Sequence, residues 1–191
     1  MNGVEAGSAK VLIMVVDDQP EVLEVLRLML EDEGGYQVMT AINGQHALER
    51  LEAALRRKKE LGETRQKYLP DLILSDISMP LMDGYIFYEK TRANPYLNHI
   101  PFIFLTALQQ EEDIRRGKEL GVDDYLLKPV QTADLLATVR GKLRRVAQRR
   151  ALVTQTIGEI DKPPATGVIL VIGLIGFIIV VTVIITLMLT T

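Results

Sequence analysis

The sequence predicts an α/β fold in which a five-stranded, doubly wound parallel sheet is covered by helices on both faces. Five short apolar runs alternate with five longer segments whose apolar residues recur at helical spacing, which is the pattern of successive βαβ units. Four of the five runs end in Asp, Asp, Thr and Lys, and open parallel sheets carry their sites beyond the carboxyl ends of the strands. An uncharged apolar segment near the carboxyl end predicts an additional transmembrane helix.

Composition narrows the classes of function before any motif is considered. The chain has 191 residues and a net charge of −3, a weak balance that argues against a dedicated nucleic-acid binder. It contains no cysteine, which excludes disulfides, thiolate metal sites and cysteine nucleophiles. With only two histidines, a histidine-rich metal site is not expected. Residues 1–10 are small and polar without an apolar core, so we expect a flexible leader rather than a signal peptide.

The first half of the chain supplies two strands and two helices. Val11–Val16 is a continuous apolar run, as expected for a strand buried on both faces. Pro20 suits the first turn of the helix that follows, and Gly34 and its glycine neighbour end that helix. Tyr36–Ala41 predicts the second strand, and the second helix begins near Gln45.

The second helix continues into a basic stretch, Arg56, Arg57, Lys58 and Lys59, and the chain stays polar to about Lys67. One interpretation is a solvated helix end. The other is a contact with anionic lipid or with a partner. The sequence leaves both open.

The second half continues the alternation of strands and helices. An apolar strand over residues 72–74 delivers Asp76 at its carboxyl end. The remaining predicted elements, in order, are a helix over Gly84–Ala93, a strand over 101–105, a helix over 111–120, a strand over 125–127 and a helix over 132–146. We therefore place the folded domain at residues 11–148.

The carboxyl end predicts a membrane anchor. Residues 149–167 lose the apolar periodicity and read as a linker, and residues 168–189 carry no charge. As a helix this segment would span roughly 33 Å, enough for a bilayer core; a buried core helix is the alternative. Lys and Arg residues precede the segment, so the positive-inside rule predicts a single-pass protein of the inner or plasma membrane with a cytoplasmic domain.

Three carboxylates stand where the strand ends should meet: Asp17, Asp18 and Asp76. Carboxylates this close repel one another unless a cation lies among them. Oxygen ligands without His or Cys favour Mg²⁺, or Mn²⁺, over zinc. A carboxylate in such a site can attack a phosphoryl group, and the hydroxyl of Thr106 and the ammonium of Lys128 could contact the phosphoryl oxygens.

Taken singly, these residues have ordinary explanations. Asp18 could be a helix N-cap, Thr106 a turn residue and Lys128 a solvated loop lysine. Their joint placement after the first, fourth and fifth strands, with Asp76 after the third, favours one shared site.

Together the motifs resemble the receiver domain of two-component response regulators. The resemblance rests on residues 15–18 (VVDD), 76–80 (DISMP) with Asp83 and Gly84, 105–107 (LTA) and the pair Lys128 and Pro129, and it covers about residues 10–148. It implies a flavodoxin-like (βα)5 fold.

The resemblance also implies a role for each site residue. Asp76 would be the phosphoacceptor, Asp18 a direct Mg²⁺ ligand, and Asp17 a ligand through water. The main-chain carbonyl of Ser78 would complete the metal ligands. Lys128 would pair with the phosphoryl group.

Three further roles concern the switch and the backbone. Thr106 would be the switch hydroxyl, and the rotamer of Tyr125 would follow it. The bond before Pro129 would be a candidate cis peptide.

These implications lead to one favoured function and two alternatives. The favoured function is a membrane-tethered receiver, not an enzyme acting on other substrates. It would accept phosphate from a histidine kinase or phosphotransfer protein. Its output would be a switched contact with a downstream protein, or relay of the phosphate. A homodimer through the fourth helix, fifth strand and fifth helix would be one such contact, and no nucleic-acid partner is expected. The alternatives are a receiver-fold adaptor held at the membrane with an unused switch, and an aspartyl-phosphate enzyme of another fold.

Overall fold

The computed structural model describes residues 10–32, 36–61, 68–107 and 124–160. In these ranges five strands form a single parallel sheet, in the order β2-β1-β3-β4-β5. The strands are β1 (Val11–Val16), β2 (Tyr36–Ala41), β3 (Leu72–Asp76), β4 (Phe102–Thr106) and β5 (Asp124–Leu127). The helices of the same ranges are α1 (Pro20–Asp32), α2 (Gly44–Leu61), α3 (Gly84–Ala93) and α4 (Thr132–Ile160).

The sheet separates two apolar layers, because successive strand residues point to opposite faces. On one face, Phe102 and Phe104 of β4 pack with residues of α2 and α3. On the other, Ile103 and Leu105 of the same strand pack with residues of α1 and α4. The central strands β3 and β4 are buried along their whole length. The fold class predicted from the apolar runs is therefore confirmed: a five-stranded parallel sheet with helices on both faces.

Aromatic rings fill the layer beneath α3. The rings of Phe102 and Phe104 lie 5.1 Å apart between centroids, and Tyr88 contacts both, at 5.1 and 5.9 Å. Edge-to-face rings at these separations add to the stabilisation that burial provides. The layer therefore holds β4, which ends at Thr106, firmly against α3.

The last helix extends further than the sequence predicted. Periodicity placed its end near Val146, whereas α4 continues to Ile160. The linker predicted at residues 149–167 therefore begins as helix. The apolar stripe fades after residue 146, but the Ala, Leu, Gln and Arg residues that follow still favour helix.

Two predicted elements lie outside the described residues: the helix over residues 111–120 and the membrane span over residues 168–189. Among the helices that the structure does describe, none combines the length and the apolar character that crossing a membrane requires.

Candidate functional site

Four strand ends bring the predicted site residues to one edge of the sheet. Asp17 follows β1, Asp76 ends β3 and Thr106 ends β4, and Lys128 follows β5. The strands are parallel and adjacent, and their register pairs Asp76 with Leu105 and Thr106 with Leu127. The sheet geometry alone therefore groups these four residues.

The ammonium group of Lys128 lies between two carboxylates. Its Nζ is 2.6 Å from Oδ2 of Asp17 and 2.6 Å from Oδ1 of Asp76. The Asp17 side chain is fully buried, and those of Asp76 and Lys128 are 10% and 19% exposed. Two buried carboxylates this close would repel each other, so the lysine supplies the opposite charge that the pair needs.

Short backbone contacts position Lys128. Its main-chain N–H donates to the carbonyl oxygen of Thr106 at 2.8 Å. The peptide bond between Lys128 and Pro129 is cis. The lysine is thus attached to the end of β4 at the point where its side chain turns towards Asp76.

Asp17 uses both carboxylate oxygens. While Oδ2 accepts from Lys128, Oδ1 accepts from the main-chain N–H of Gln19 at 3.0 Å. The N–H of Asp17 itself donates to the carbonyl of Ala41 at the end of β2. One side chain therefore links the start of α1 to the site.

Asp76 is held by its own loop. Ser75 Oγ donates to the carbonyl oxygen of Asp76 at 2.9 Å, and the Ser78 main-chain N–H donates to the Asp76 carboxylate. The Gly84 N–H donates to the carbonyl of Ile77 at 2.8 Å. These bonds fold the chain after β3 back onto the residue that carries the carboxylate.

Gly84 has a structural role that the sequence did not reveal. Its neighbour Asp83 caps α3 by accepting from the Ile86 N–H at 2.7 Å. A Cβ on Gly84, however, would lie 2.2 Å from the carbonyl oxygen of Asp76. Only glycine permits this approach of α3 to the end of β3. An Asp-Gly pair soon after the strand is the one sequence signal that points to it.

The charges of the site shift two pKa values. Burial raises the pKa of the Asp76 carboxyl above its usual range, against the opposing effect of Lys128, and the neighbouring charge of Asp17 raises it further. Burial alone would lower the pKa of Lys128, but the hydrogen bonds and charges of Asp17 and Asp76 outweigh it, so that pKa is raised. The lysine therefore stays protonated.

Asp18 does not join the predicted cluster of three carboxylates. It is exposed, one residue beyond the buried Asp17. Over the described ranges, no three His, Cys, Asp or Glu side chains are grouped closely enough to hold a metal ion. The site instead consists of two carboxylates bridged by an ammonium. The reason is local: the chain turns into α1 directly after Asp17, which leaves Asp18 on the solvent side.

Two of the remaining predicted residues lie at the same edge, and the third, Tyr125, lies within β5. Thr106 is 8% exposed, and Ser78 is exposed on the loop after β3. The ring of Tyr125 lies 5.8 Å from that of Phe104, and its hydroxyl oxygen is shielded from solvent. Tyr125 thus faces the aromatic layer under α3.

Comparison with known protein families agrees with this architecture. The response regulator receiver domain family matches residues 13–140, and the chain belongs to that family. The chain is 39% identical over 132 residues to a 14.6 kDa protein of Leptolyngbya boryana encoded in the sodA1 3′ region, a match that covers 69% of this chain and 89% of that protein.

Larger regulators match over the same domain. Response regulator Rre1 of Synechocystis is 36% identical over 70% of this chain, and the transcriptional regulatory protein PrrA of Mycobacterium leprae is 35% identical over 84%. The matches cover 52% and 63% of those proteins, so the chain spans only part of their length.

Solved structures show the same fold. A response regulator structure from Chloroflexus aurantiacus matches with a TM-score of 0.57 and 30% identity, covering 71% of this chain and 98% of that one. A CheY-like receiver domain from Methanospirillum hungatei matches with a TM-score of 0.61 and 26% identity, covering 73% and 98%. The chain therefore contains a CheY-like, flavodoxin-like receiver domain.

Replacing Gly84 by Ala should displace the main chain of Asp76 or the start of α3. The added methyl group would meet the Asp76 carbonyl, so the loop or α3 must shift. We expect a loss of about 1–3 kcal/mol in the free energy of unfolding, measured by urea denaturation. The control is Gly141→Ala in α4, where a Cβ meets no atom within 4 Å and helix propensity should leave stability equal or higher. Equal effects of the two substitutions would contradict the close approach.

Replacing Asp76 by Asn should stabilise the fold in a pH-dependent way. Below about pH 4 the carboxyl is protonated in both folded and unfolded chains. Above that, the unfolded chain ionises first because the pKa of the folded state is raised, so this group lowers the stability of the wild type as the pH rises. The advantage of Asp76→Asn in urea denaturation should therefore grow from pH 4 towards pH 7. A stability advantage of Asp76→Asn that shrinks from pH 4 to pH 7 would contradict a raised pKa of Asp76 in the folded state.

Proposed function

We propose that this receiver domain accepts a phosphoryl group on Asp76 from a histidine kinase or a phosphotransfer protein. The observation that carries the proposal is the placement of Lys128 Nζ, 2.6 Å from both Asp17 and Asp76. This pair of buried carboxylates with one fixed ammonium can orient a phosphoryl group and neutralise its charge as the bond forms.

The transfer is a displacement at phosphorus. A carboxylate oxygen of Asp76 forms a bond to the phosphorus of a phosphohistidine, the P–N bond breaks, and its electron pair leaves with the imidazole nitrogen. Lys128 is already hydrogen-bonded to the attacking carboxylate, so its ammonium is close to where the phosphoryl oxygens arrive. Only the ionised carboxylate attacks, and Lys128 favours that form.

The residues at the strand ends fit a hard divalent cation. Asp17 and Asp76 each place a carboxylate oxygen 2.6 Å from the same Lys128 Nζ, and oxygen-only ligands at this position suit Mg²⁺, with Mn²⁺ as a substitute. Asp17, Asp76 and the Ser78 carbonyl would hold the ion, and the exposed Asp18 would have to turn inward to join them. When bound, the ion would supply positive charge that draws the phosphoryl oxygens towards Asp76.

The response to phosphorylation would pass through Thr106 and Tyr125. Thr106 ends β4 beside the site, and Tyr125 packs on the β4 residue Phe104. A phosphoryl group that draws the Thr106 hydroxyl inward would alter the packing of this aromatic pair, which is a local charge event acting on a packed face. The altered face, formed by β5 and α4 together with the helix that the sequence predicts at residues 111–120, would bind the downstream protein or a second copy.

The same proposal places the domain at a membrane. Residues 168–189 contain no charged residue and are long enough for a bilayer core. The basic residues before them favour a cytoplasmic domain on the inner or plasma membrane. Tethering would raise the local concentration of the domain near a membrane kinase, so that a weak contact is sufficient.

Labelling with a phosphodonor tests the acceptor directly. With Mg²⁺ and a phosphorylated kinase or a small acyl phosphate, the wild type should take up one acid-stable, base-labile phosphoryl group, and Asp76→Asn should take up none, as measured by intact mass. Asp32→Asn, an exposed acid at the end of α1, is the control and should label like the wild type. Full labelling of Asp76→Asn would refute Asp76 as the phosphoacceptor, whereas partner binding that is identical with and without label would favour an adaptor whose switch is unused.

Two lysines in the apolar segment test the anchor. Ile178→Lys with Ile179→Lys should cost about 2.5–3.5 kcal/mol per charge at the centre of the span, so the chain should leave carbonate-washed membranes. The matched control is leucine at both positions, which should remain bound. Retention of the lysine variant in the membrane pellet would refute insertion of this segment.

A further inference from the structure

The edge of the sheet opposite to Asp76 carries a concentration of positive charge. Because the sheet is parallel, α2 and α4 each start at the edge that carries the site and run back to the opposite one. We call that opposite edge the amino edge, since the strands begin there. The last turns of α2 and the middle of α4 therefore reach the same edge of the domain from opposite faces of the sheet.

The basic residues of α2 lie in its last turns. Arg56, Arg57 and Lys59 are exposed there. An acidic contact of this group within the described part of the chain is long, at 3.9 Å between Arg56 and Glu52. An exposed pair at that distance neutralises little, and the exposed Glu60 offsets only one of the charges. This helix end therefore retains a net positive charge.

The second basic group lies on α4. Six Lys or Arg residues and no acid occur between residues 135 and 158, in a chain whose net charge is −3. Lys142 is buried and pairs with Asp124 at 3.5 Å, whereas Arg144 and Arg145 are exposed. The positive charge available to a partner is therefore on the arginines.

Other groups at the amino edge are consistent with a positive surface. Of the two described acids that end α1, Glu31 is already bonded to Arg27, which leaves Asp32 as the exposed one. In the loop between α3 and β4, Tyr96 is 68% exposed. An amphipathic tyrosine beside basic residues is typical of side chains that lie at the depth of lipid headgroups.

We infer that the amino edge lies on anionic lipid headgroups, through Arg57, Lys59, Arg144 and Arg145, with the phosphoacceptor edge turned towards the cytoplasm. The inference rests on the proposed membrane attachment: the uncharged segment at 168–189 follows the basic helix in sequence. Basic clusters next to a membrane span are attracted to the negative surface of the cytoplasmic leaflet. The orientation leaves Asp76 accessible to a kinase.

Orientation can be measured on the full chain, which contains no cysteine. Single cysteines are introduced at Gln45→Cys and Glu60→Cys, two exposed positions of α2 that are roughly 22 Å apart along the helix. Each is labelled with a donor dye, and energy transfer to a headgroup acceptor is recorded in nanodiscs. The discs contain phosphatidylcholine alone or with about 30% phosphatidylserine.

We expect transfer from residue 60 to exceed transfer from residue 45 in the anionic discs. The excess should disappear in neutral discs and at about 0.5 M NaCl, where exposed charges are screened. Charge reversal by Arg57→Glu, Lys59→Glu, Arg144→Glu and Arg145→Glu should abolish it. The matched variant Arg57→Lys, Lys59→Arg, Arg144→Lys and Arg145→Lys keeps the charge and should keep the excess.

The possible failures are distinct. Failure of the chain to insert into neutral discs would refute the membrane anchor. In that case, greater energy transfer from residue 60 than from residue 45 on preformed anionic discs would still support lipid contact by the amino edge. A chain that enters discs but shows equal transfer from both positions overturns the inference. Tighter binding of duplex DNA or RNA than of anionic discs, lost on charge reversal, would replace lipid by nucleic acid and also overturn it.

Discussion

Lys128 places one ammonium group between two buried carboxylates that would repel each other in its absence. The contact to Asp17 and the contact to Asp76 have the same length, 2.6 Å. Removing the lysine would leave two buried carboxylates without a compensating positive charge, which would lower the stability of the fold. The ends of β1, β3 and β5 are therefore coupled through one side chain.

The rest of the fold serves to bring those three side chains together. The parallel register sets the strand ends level, and the aromatic layer of Phe102, Phe104 and Tyr88 fixes β4 against α3. Gly84 then allows α3 to begin in contact with the main chain of Asp76. Each of these features acts on the position of the Asp76 carboxylate.

Much of this could be predicted from the sequence, because continuous apolar runs indicate buried parallel strands and polar residues at their ends indicate a shared edge. The strand bounds agree with the structure to within one or two residues. Periodicity was a poor guide to the end of α4, since it reports burial rather than helix formation. Likewise, Asp17 and Asp18 are neighbours of the same residue type. Only the turn into α1 decides that Asp17 is buried and Asp18 is exposed. The approach of Gly84 to Asp76 depends on three-dimensional packing, of which the Asp83-Gly84 pair is only a local sign.

A magnesium titration is the most direct test of the charge balance on which the site depends. If Lys128 neutralises the two carboxylates, the substitution Lys128→Met leaves them without a positive partner and should tighten Mg²⁺ binding. The substitution Asp76→Asn removes one carboxylate and should weaken Mg²⁺ binding. Calorimetric titration of the wild type and both variants would rank the three affinities. The account predicts the order Lys128→Met, wild type, Asp76→Asn, from tightest to weakest. Equal affinities for all three, or weaker binding by Lys128→Met than by the wild type, would contradict it.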